Sequence, residues 1–176
     1  MSNSETALNR IGENTYSALK SLVDNSYYVR EGFQHQFNVD IEGSYQRDYC
    51  TVQLAATRRS GHSTAIVRLT LEYFRKALIL YPNLQMAERM RDVFRSYEGE
   101  GIRKCSRGRI EMHDGSLYLL DTVQARLTEK DIQMNDIEAI IVDCATLLSD
   151  IKRDLIYEIG SRCMSSVPQK IFIFVG

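Results

Sequence analysis

The spacing of hydrophobic residues changes along the chain, and this change predicts where helices are replaced by strands. Residues 4–24 carry apolar side chains at helical spacing, which predicts an amphipathic helix with Ser4 as a candidate cap. Residues 25–49 scatter aromatic residues among polar residues and glycines. That irregular pattern predicts a loop with a short element.

Beyond residue 50, short apolar runs alternate with segments of helical period. The predicted strands cover residues 50–56, 77–81, 109–112, 116–121, 138–143 and 170–175. The predicted helices cover residues 63–76, 84–97 and 147–160, and residues 123–137 form a polar connection. His113-Asp114-Gly115, between two of the strands, is typical of a hairpin turn. The pattern predicts an α/β fold, with a mostly parallel sheet, helices on both faces and one β-hairpin.

The length of 176 residues suits one domain with a single sizeable core. Within it we distinguish an N-terminal helix and irregular segment, residues 1–49, from a core over residues 50–176. The sequence has no internal repeat, low-complexity tract or linker, so both parts are expected to form one compact domain overall.

Composition and charge are those of an ordinary globular protein. The chain is 44% hydrophobic and 26% charged, with a net charge of −1. This balance gives no global attraction to nucleic acid or membrane. Neither a membrane-spanning run nor a signal peptide is evident, so a cytoplasmic protein without membrane contact is expected. Arginines are dense over residues 89–109, and a solvated helix face is favoured over a basic patch.

The four cysteines do not follow a metal-binding pattern. They are Cys50, Cys105, Cys144 and Cys163, none of them at CxxC spacing or at a ligand offset from a histidine. The pattern predicts reduced, mostly buried thiols and argues against a zinc site.

A candidate phosphate-binding loop lies at residues 56–64, which read ATRRSGHST, between a predicted strand and a predicted helix. Such a loop aims backbone N–H groups and a helix N-terminus at an anion. Compared with the motif GxxxxGK followed by Ser or Thr, Gly61 and Ser63 match. Ala56 replaces the first glycine, and His62 replaces the lysine.

These substitutions define the chemistry expected of the loop. Gly61 allows a close turn, and the Ser63 hydroxyl can contact Mg²⁺. The His62 imidazole is shorter than a lysine chain and mostly neutral near pH 7, so it offers no dependable charge. Arg58 and Arg59 could supply that charge, or could face solvent or pair with carboxylates. The candidate nucleotide-binding residues are Arg58, Arg59, Ser60, Gly61, His62, Ser63 and Thr64.

The apolar run Ile140-Ile141-Val142 ends at Asp143, where P-loop enzymes place a metal-binding acid. Asp143 could instead cap the following helix. Cys144 stands where hydrolysing ATPases commonly carry a glutamate that positions water, and a thiol of pKa about 8.5 is a poor substitute. A nucleophilic Cys144 would need His62 or His113 as its base, and nothing in the sequence places either beside it.

With these pieces in order, residues 45–176 resemble the ATPase domain of the large terminase subunit, the DNA-packaging motor of tailed phages. Residues 57–63, TRRSGHS, are similar to that family's P-loop, S-R-Q-x-G-K-T, except at His62. Residues 77–83 look like its second strand and the loop after it. Residues 108–116 resemble its hairpin, residues 140–145 its Walker B strand, and residues 170–176 the strand leading to its coupling motif.

The resemblance implies a phage-encoded protein of P-loop NTPase-like fold in the host cytoplasm. It implies ATP and Mg²⁺ as cofactors, with the metal held by Ser63 and Asp143. A packaging component or a second copy is implied as protein partner, with DNA as a further candidate. Losing one transition-state donor costs about a hundred- to a thousandfold in rate, so His62 and Cys144 predict little or no hydrolysis. The alternatives are an active packaging or helicase-like motor, in which Arg58 or Arg59 replaces the lysine, and a purely structural or regulatory interaction protein.

Overall fold

The computed structural model describes residues 3–33, 47–48, 50–55, 61–106, 108–128, 136–163 and 171–176. The helices are α1 (Asn3–Phe33), α2 (His62–Tyr73), α3 (Leu84–Glu98), α4 (Val123–Thr128) and α5 (Asp150–Cys163). The strands are β1 (Thr51–Leu54), β2 (Lys76–Tyr81), β3 (Ile102–Ser106), β4 (Arg109–Met112), β5 (Leu117–Thr122), β6 (Ala139–Asp143) and β7 (Ile171–Val175). Short 3-10 turns cover Gly99–Gly101 and Ala145–Leu147.

The strands form one seven-stranded sheet in the order β1-β7-β6-β2-β5-β4-β3. Strands β1, β7, β6, β2 and β5 run parallel, and the pairs β5–β4 and β4–β3 are antiparallel. The predicted α/β fold with a mostly parallel sheet and a hairpin is therefore confirmed. The strand order separates β1 from β6 by a single strand, β7.

Alternation along the central strands divides the core between the two faces of the sheet. Ile79 and Tyr81 of β2 pack in a cluster that includes buried residues of α1, α2 and α3. Leu78 and Leu80 pack on the opposite face with residues of α5. Strands covered on both faces have no polar side, which explains why β6 and β7 are buried at every position.

Helix α1 is longer than the sequence predicted. It continues to Phe33, so the loop expected from residue 25 is wrong over residues 25–33. Arg30 is buried there, its Nε donates to the Ser26 carbonyl at 3.2 Å, and its guanidinium lies 4.5 Å from the Tyr27 ring centroid. A buried arginine interrupts the pattern of apolar residues from which the helix was predicted, but it does not interrupt the helix itself. Residues 34–46 lie outside the described part of the chain.

Two further elements were not predicted, and two helices are displaced from their expected bounds. Strand β3 was missed because it is an edge strand whose middle positions, Arg103 and Lys104, are exposed and charged. Helix α4 lies inside the stretch expected to be a polar connection. Helix α5 begins at Asp150 and ends at Cys163, after a 3-10 turn, and α2 ends at Tyr73, earlier than predicted.

Helix α1 packs tightly against the turn that opens α2. Gly61 has φ 70°, and a Cβ placed there would lie 2.8 Å from the Gly12 Cα. Tyr16, Leu19 and Val23 of α1 are buried in the same cluster as the central strands. The N-terminal helix therefore shares the core of residues 50–176 and helps to position the start of α2.

Candidate functional site

The parallel strands bring a small group of side chains to one edge of the sheet. In the register, Leu54 of β1 lies opposite Val175 of β7, and Val175 lies opposite Asp143 of β6. Asp143 follows Ile141 by two positions and therefore faces the side of the sheet that α2 covers. The carboxyl edge of a parallel sheet is where α/β proteins commonly bind ligands.

Asp143 is in direct contact with the first residue of α2. The His62 Nε2 lies 3.1 Å from the Asp143 Oδ1, and the Asp143 side chain is only 2% exposed. The pKa of His62 is raised by this contact with the Asp143 carboxyl, against the opposing effect of burial. The sequence led us to expect an ordinary, mostly neutral histidine, and the contact with Asp143 shifts the pKa of His62 in the direction that favours protonation.

The backbone at Cys144 adopts a conformation that L-residues rarely take. Cys144 has φ 57° and ψ 44° and immediately precedes the 3-10 turn Ala145–Leu147. A Cβ on Gly176 would lie 2.8 Å from the Cys144 Cα, and the Gly176 N–H donates to the Leu54 carbonyl at 3.0 Å. The N-cap residue of this turn is Cys144 and not Asp143.

The three side chains lie close enough to act together. One ligand atom each of His62, Asp143 and Cys144 falls within 4.8 Å of the others. His62 is therefore the histidine beside Cys144, whereas His113 lies in the exposed turn between β4 and β5. Burial raises the pKa of the Cys144 thiol to about 11, and the neighbouring Asp143 charge adds to this shift. A protonated thiol is a weak nucleophile, which argues against covalent catalysis by Cys144.

The structure places part of the predicted phosphate loop. Gly61 precedes α2, Ser63 is half-buried in its first turn, and Thr64 is exposed there. It is His62, not Ser63, that contacts Asp143. Of the other loop residues, Ala56, Thr57, Arg58, Arg59 and Ser60 lie outside the described residues.

Sequence reasoning missed Tyr81, the last residue of β2. Its side chain is fully buried, and within the described part of the chain its hydroxyl has no hydrogen-bond partner. Burial raises the pKa of Tyr81 well above its usual value, and the neighbouring Asp143 and Cys144 act in the same direction. A tyrosine at the end of an apolar strand is typical of a core residue, so nothing in the sequence pattern indicated that Tyr81 lies at the candidate site.

The donor atoms fit Mg²⁺ only in part. Mg²⁺ prefers oxygen ligands in near-octahedral geometry, and Asp143 supplies a buried carboxylate of that kind. The nitrogen of His62 and the sulfur of Cys144 are the other two members of the cluster, and neither is a good Mg²⁺ ligand. The metal expected from the sequence would therefore have to compete with His62 for Asp143.

Comparisons with known proteins leave the site to be interpreted from its own geometry. No protein-family model matches the chain, and no curated protein matches it significantly. No helix among the described residues combines the length and apolar character that crossing a membrane requires.

Proposed function

We propose that this chain is a phage-encoded, terminase-like P-loop protein whose degenerate ATP site binds nucleotide or a protein partner with little or no hydrolysis. The observation that carries the proposal is the contact between His62 and Asp143. The side chain at the lysine position of the loop pairs with the acid of the Walker B-like strand. In a working site the same position would reach the β- and γ-phosphates.

The start of α2 supports anion binding. Gly61 is the N-cap residue, turns with φ 70° and has no side chain that could cap the helix. The first turn of α2 also lacks acidic residues. The first N–H groups of α2 and the helix dipole favour a phosphate group at this position.

Two features of the site oppose hydrolysis. His62 pairs with the carboxylate that would hold Mg²⁺, the ion that neutralises phosphate charge during transfer. The Cys144 thiol, with its pKa raised to about 11, cannot accept a proton from water at neutral pH. Asp143 is therefore occupied by His62 and less able to hold Mg²⁺, and no base stands at position 144 to position water.

Nucleotide binding is tested by thermal unfolding with millimolar ATP, with and without Mg²⁺. Binding at about a hundredfold excess over Kd stabilises the folded chain by about 2.7 kcal/mol, so Tm should rise. The same measurement can be made on the variant His62→Lys. Its matched control is His113→Lys, because both substitutions add a similar charge and His113 is exposed. An unchanged wild-type Tm contradicts nucleotide binding.

Hydrolysis is tested by steady-state phosphate release, with and without DNA. We expect background rates for the wild type and a measurable rate for the double replacement His62→Lys with Cys144→Glu. Release by the wild type above an Arg58→Ala control would contradict the proposal and support the active-motor alternative. No gain in the double replacement would mean that more than these two side chains separates the site from an enzyme.

The arginines of α3 favour a protein partner over DNA. Arg91 Nε and Arg95 Nη1 each lie 3.9 Å from an Asp92 carboxylate oxygen, so part of their charge is neutralised locally. A protein that neutralises many phosphates shows steep salt dependence of DNA binding. We expect weak DNA binding that does not change between wild type and Arg95→Ala, measured by fluorescence anisotropy over a salt series.

A further inference from the structure

We propose that His62, Asp143 and Cys144 form a binding site for a transition-metal ion of the zinc class. His62 and Cys144, which depart from the P-loop pattern, both lie at Asp143, and together they replace an all-oxygen site by a nitrogen, an oxygen and a sulfur ligand. This inference goes beyond nucleotide binding and does not depend on it.

The distances suit a metal after a small adjustment. The His62 and Asp143 ligand atoms are 3.1 Å apart, and the whole cluster lies within 4.8 Å. Tetrahedral zinc, with bonds of about 2.0 to 2.3 Å, holds its ligand atoms roughly 3.3 to 3.8 Å apart. Nitrogen–sulfur and oxygen–sulfur pairs on such a zinc lie about 3.5 Å apart, so the Cys144 sulfur needs to approach the other two ligands by up to about 1.3 Å. Changes in the side-chain torsions of the three ligands together can supply that movement.

The ligand types select the class of metal. Imidazole and thiolate suit Zn²⁺ and Co²⁺, whereas Mg²⁺ and Ca²⁺ prefer oxygen ligands alone. Three protein ligands leave the fourth tetrahedral position for water or an anion. A phosphate oxygen arriving at the start of α2 is one such anion, because α2 begins at His62.

The Asp143 carboxylate is buried, and a bound cation would offset the cost of burying its charge. Asp143 is 2% exposed, and the His62 Nε2, 3.1 Å from its Oδ1, is the basic group in contact with it. The buried Tyr81 hydroxyl nearby has no hydrogen-bond partner within the described residues. A buried charge is costly unless it is paired or coordinates a metal, so a cation at this position would stabilise the carboxylate.

The backbone holds the sulfur ligand near the acid. Cys144 keeps a left-handed conformation next to Asp143, and the absence of a side chain on Gly176 makes room for it. Strained backbone of this kind is concentrated at functional sites. On binding, the sulfur–metal bond replaces the S–H bond, and the thiol proton leaves to solvent, so binding releases protons.

The test is a titration of the metal-free full chain with Co²⁺ in the absence of nucleotide. A thiolate–cobalt charge-transfer band and the intense visible bands of four-coordinate Co²⁺ are expected, and Zn²⁺ should abolish both. Cys144→Ser should remove the charge-transfer band, and His62→Ala should weaken Co²⁺ binding at least tenfold. Cys105→Ser and His113→Ala are the matched controls and should retain both signals.

Two results would overturn the proposal: no thiolate band in the folded wild type at millimolar Co²⁺, or a band that survives Cys144→Ser. Should Cys144→Ser fail to fold, alkylation of the wild type decides, because Zn²⁺ must protect Cys144 and leave Cys105 reactive. Cobalt binding without an ATP-induced Tm shift supports the metal site and contradicts nucleotide binding. An ATP-induced Tm shift without cobalt binding contradicts the metal site and supports nucleotide binding.

Discussion

Asp143 and Glu111 are both carboxylates paired with cations, and they differ in how much the protein depends on the pairing. Glu111, on β4, contacts Arg103 and lies 2.9 Å from the Arg109 Nε, and both arginines are more than half exposed. Asp143 is buried and faces His62 alone among the described cations. The Glu111 side chain is 13% exposed and that of Asp143 only 2%, so water reaches Glu111 more readily when a partner is lost.

The pKa shifts follow the same division. The Arg103 guanidinium, as the largest influence, lowers the pKa of Glu111. At the buried pair, the contact with Asp143 raises the pKa of His62. The number of ion pairs is therefore a poor guide to stability. Exposed pairs contribute little to the free energy of unfolding, whereas breaking a buried pair leaves a charge without solvent.

The largest expected effect comes from His62→Ala, which leaves the buried Asp143 carboxylate without its imidazole. Removing one partner of a buried pair costs about 3 kcal/mol or more, so the free energy of unfolding should fall by that order. Urea denaturation with a metal chelator present measures it. Arg103→Ala is the matched control and should leave the urea midpoint near the wild-type value. Equal effects of the two substitutions would refute the contrast between the sites.

The second effect moves the buried pair without changing either charge. Gly61→Ala places a methyl group at φ 70°, 2.8 Å from the Gly12 Cα, and should destabilise the chain by about 2 kcal/mol from backbone strain and steric overlap. Gly12→Ala is the control, because a Cβ there meets nothing within 4 Å. It should stabilise α1 by up to about 1 kcal/mol. Thermal unfolding that gave both variants the same sign of shift would contradict the close approach of α1.

The third effect is a pH dependence specific to the buried pair. The folded pKa of His62 is raised from 6.5, so its stabilisation is fully present below about pH 6.5 and is lost as the pH rises through the raised pKa. Urea unfolding from about pH 6 to pH 9, with a chelator, should show this loss, and His62→Gln should abolish it. Glu111→Gln should retain it, because a lowered carboxyl pKa affects stability only in acid. If His62→Gln leaves the pH dependence of the free energy of unfolding unchanged, that dependence does not come from His62.

The smallest effect is expected for Glu111→Gln itself. The arginines around it are solvated, so we expect no resolvable change in the urea midpoint at physiological salt. A small decrease at low salt that disappears as salt is added would confirm that the contact is a screened surface interaction. A decrease that persists at high salt would show instead that Glu111 contributes as a buried group.

The sequence predicted those elements whose stabilising interactions are local or strongly periodic. Helix α3 was predicted to begin at Leu84, and the Asn83 side chain caps it by accepting from the Met86 N–H at 3.0 Å. The hairpin turn follows from Asp114, whose carboxylate accepts from the Ser116 N–H, and from Gly115 at φ 89°. The edge strand β3 was missed because its middle positions are exposed and charged, and the end of α1 was missed because the buried Arg30 interrupts the apolar pattern.

For the candidate site, the sequence was enough to predict that the turn at Gly61 and His62 opens a helix after a strand, and that Asp143 ends another strand. The folded chain was needed to show that β1 and β6 are separated by one strand and that His62, Asp143 and Cys144 meet. Strand order and register are properties of non-local pairing, which the period of a single segment does not encode. The raised pKa of His62 depends on that same pairing, because charges interact through space and not along the chain.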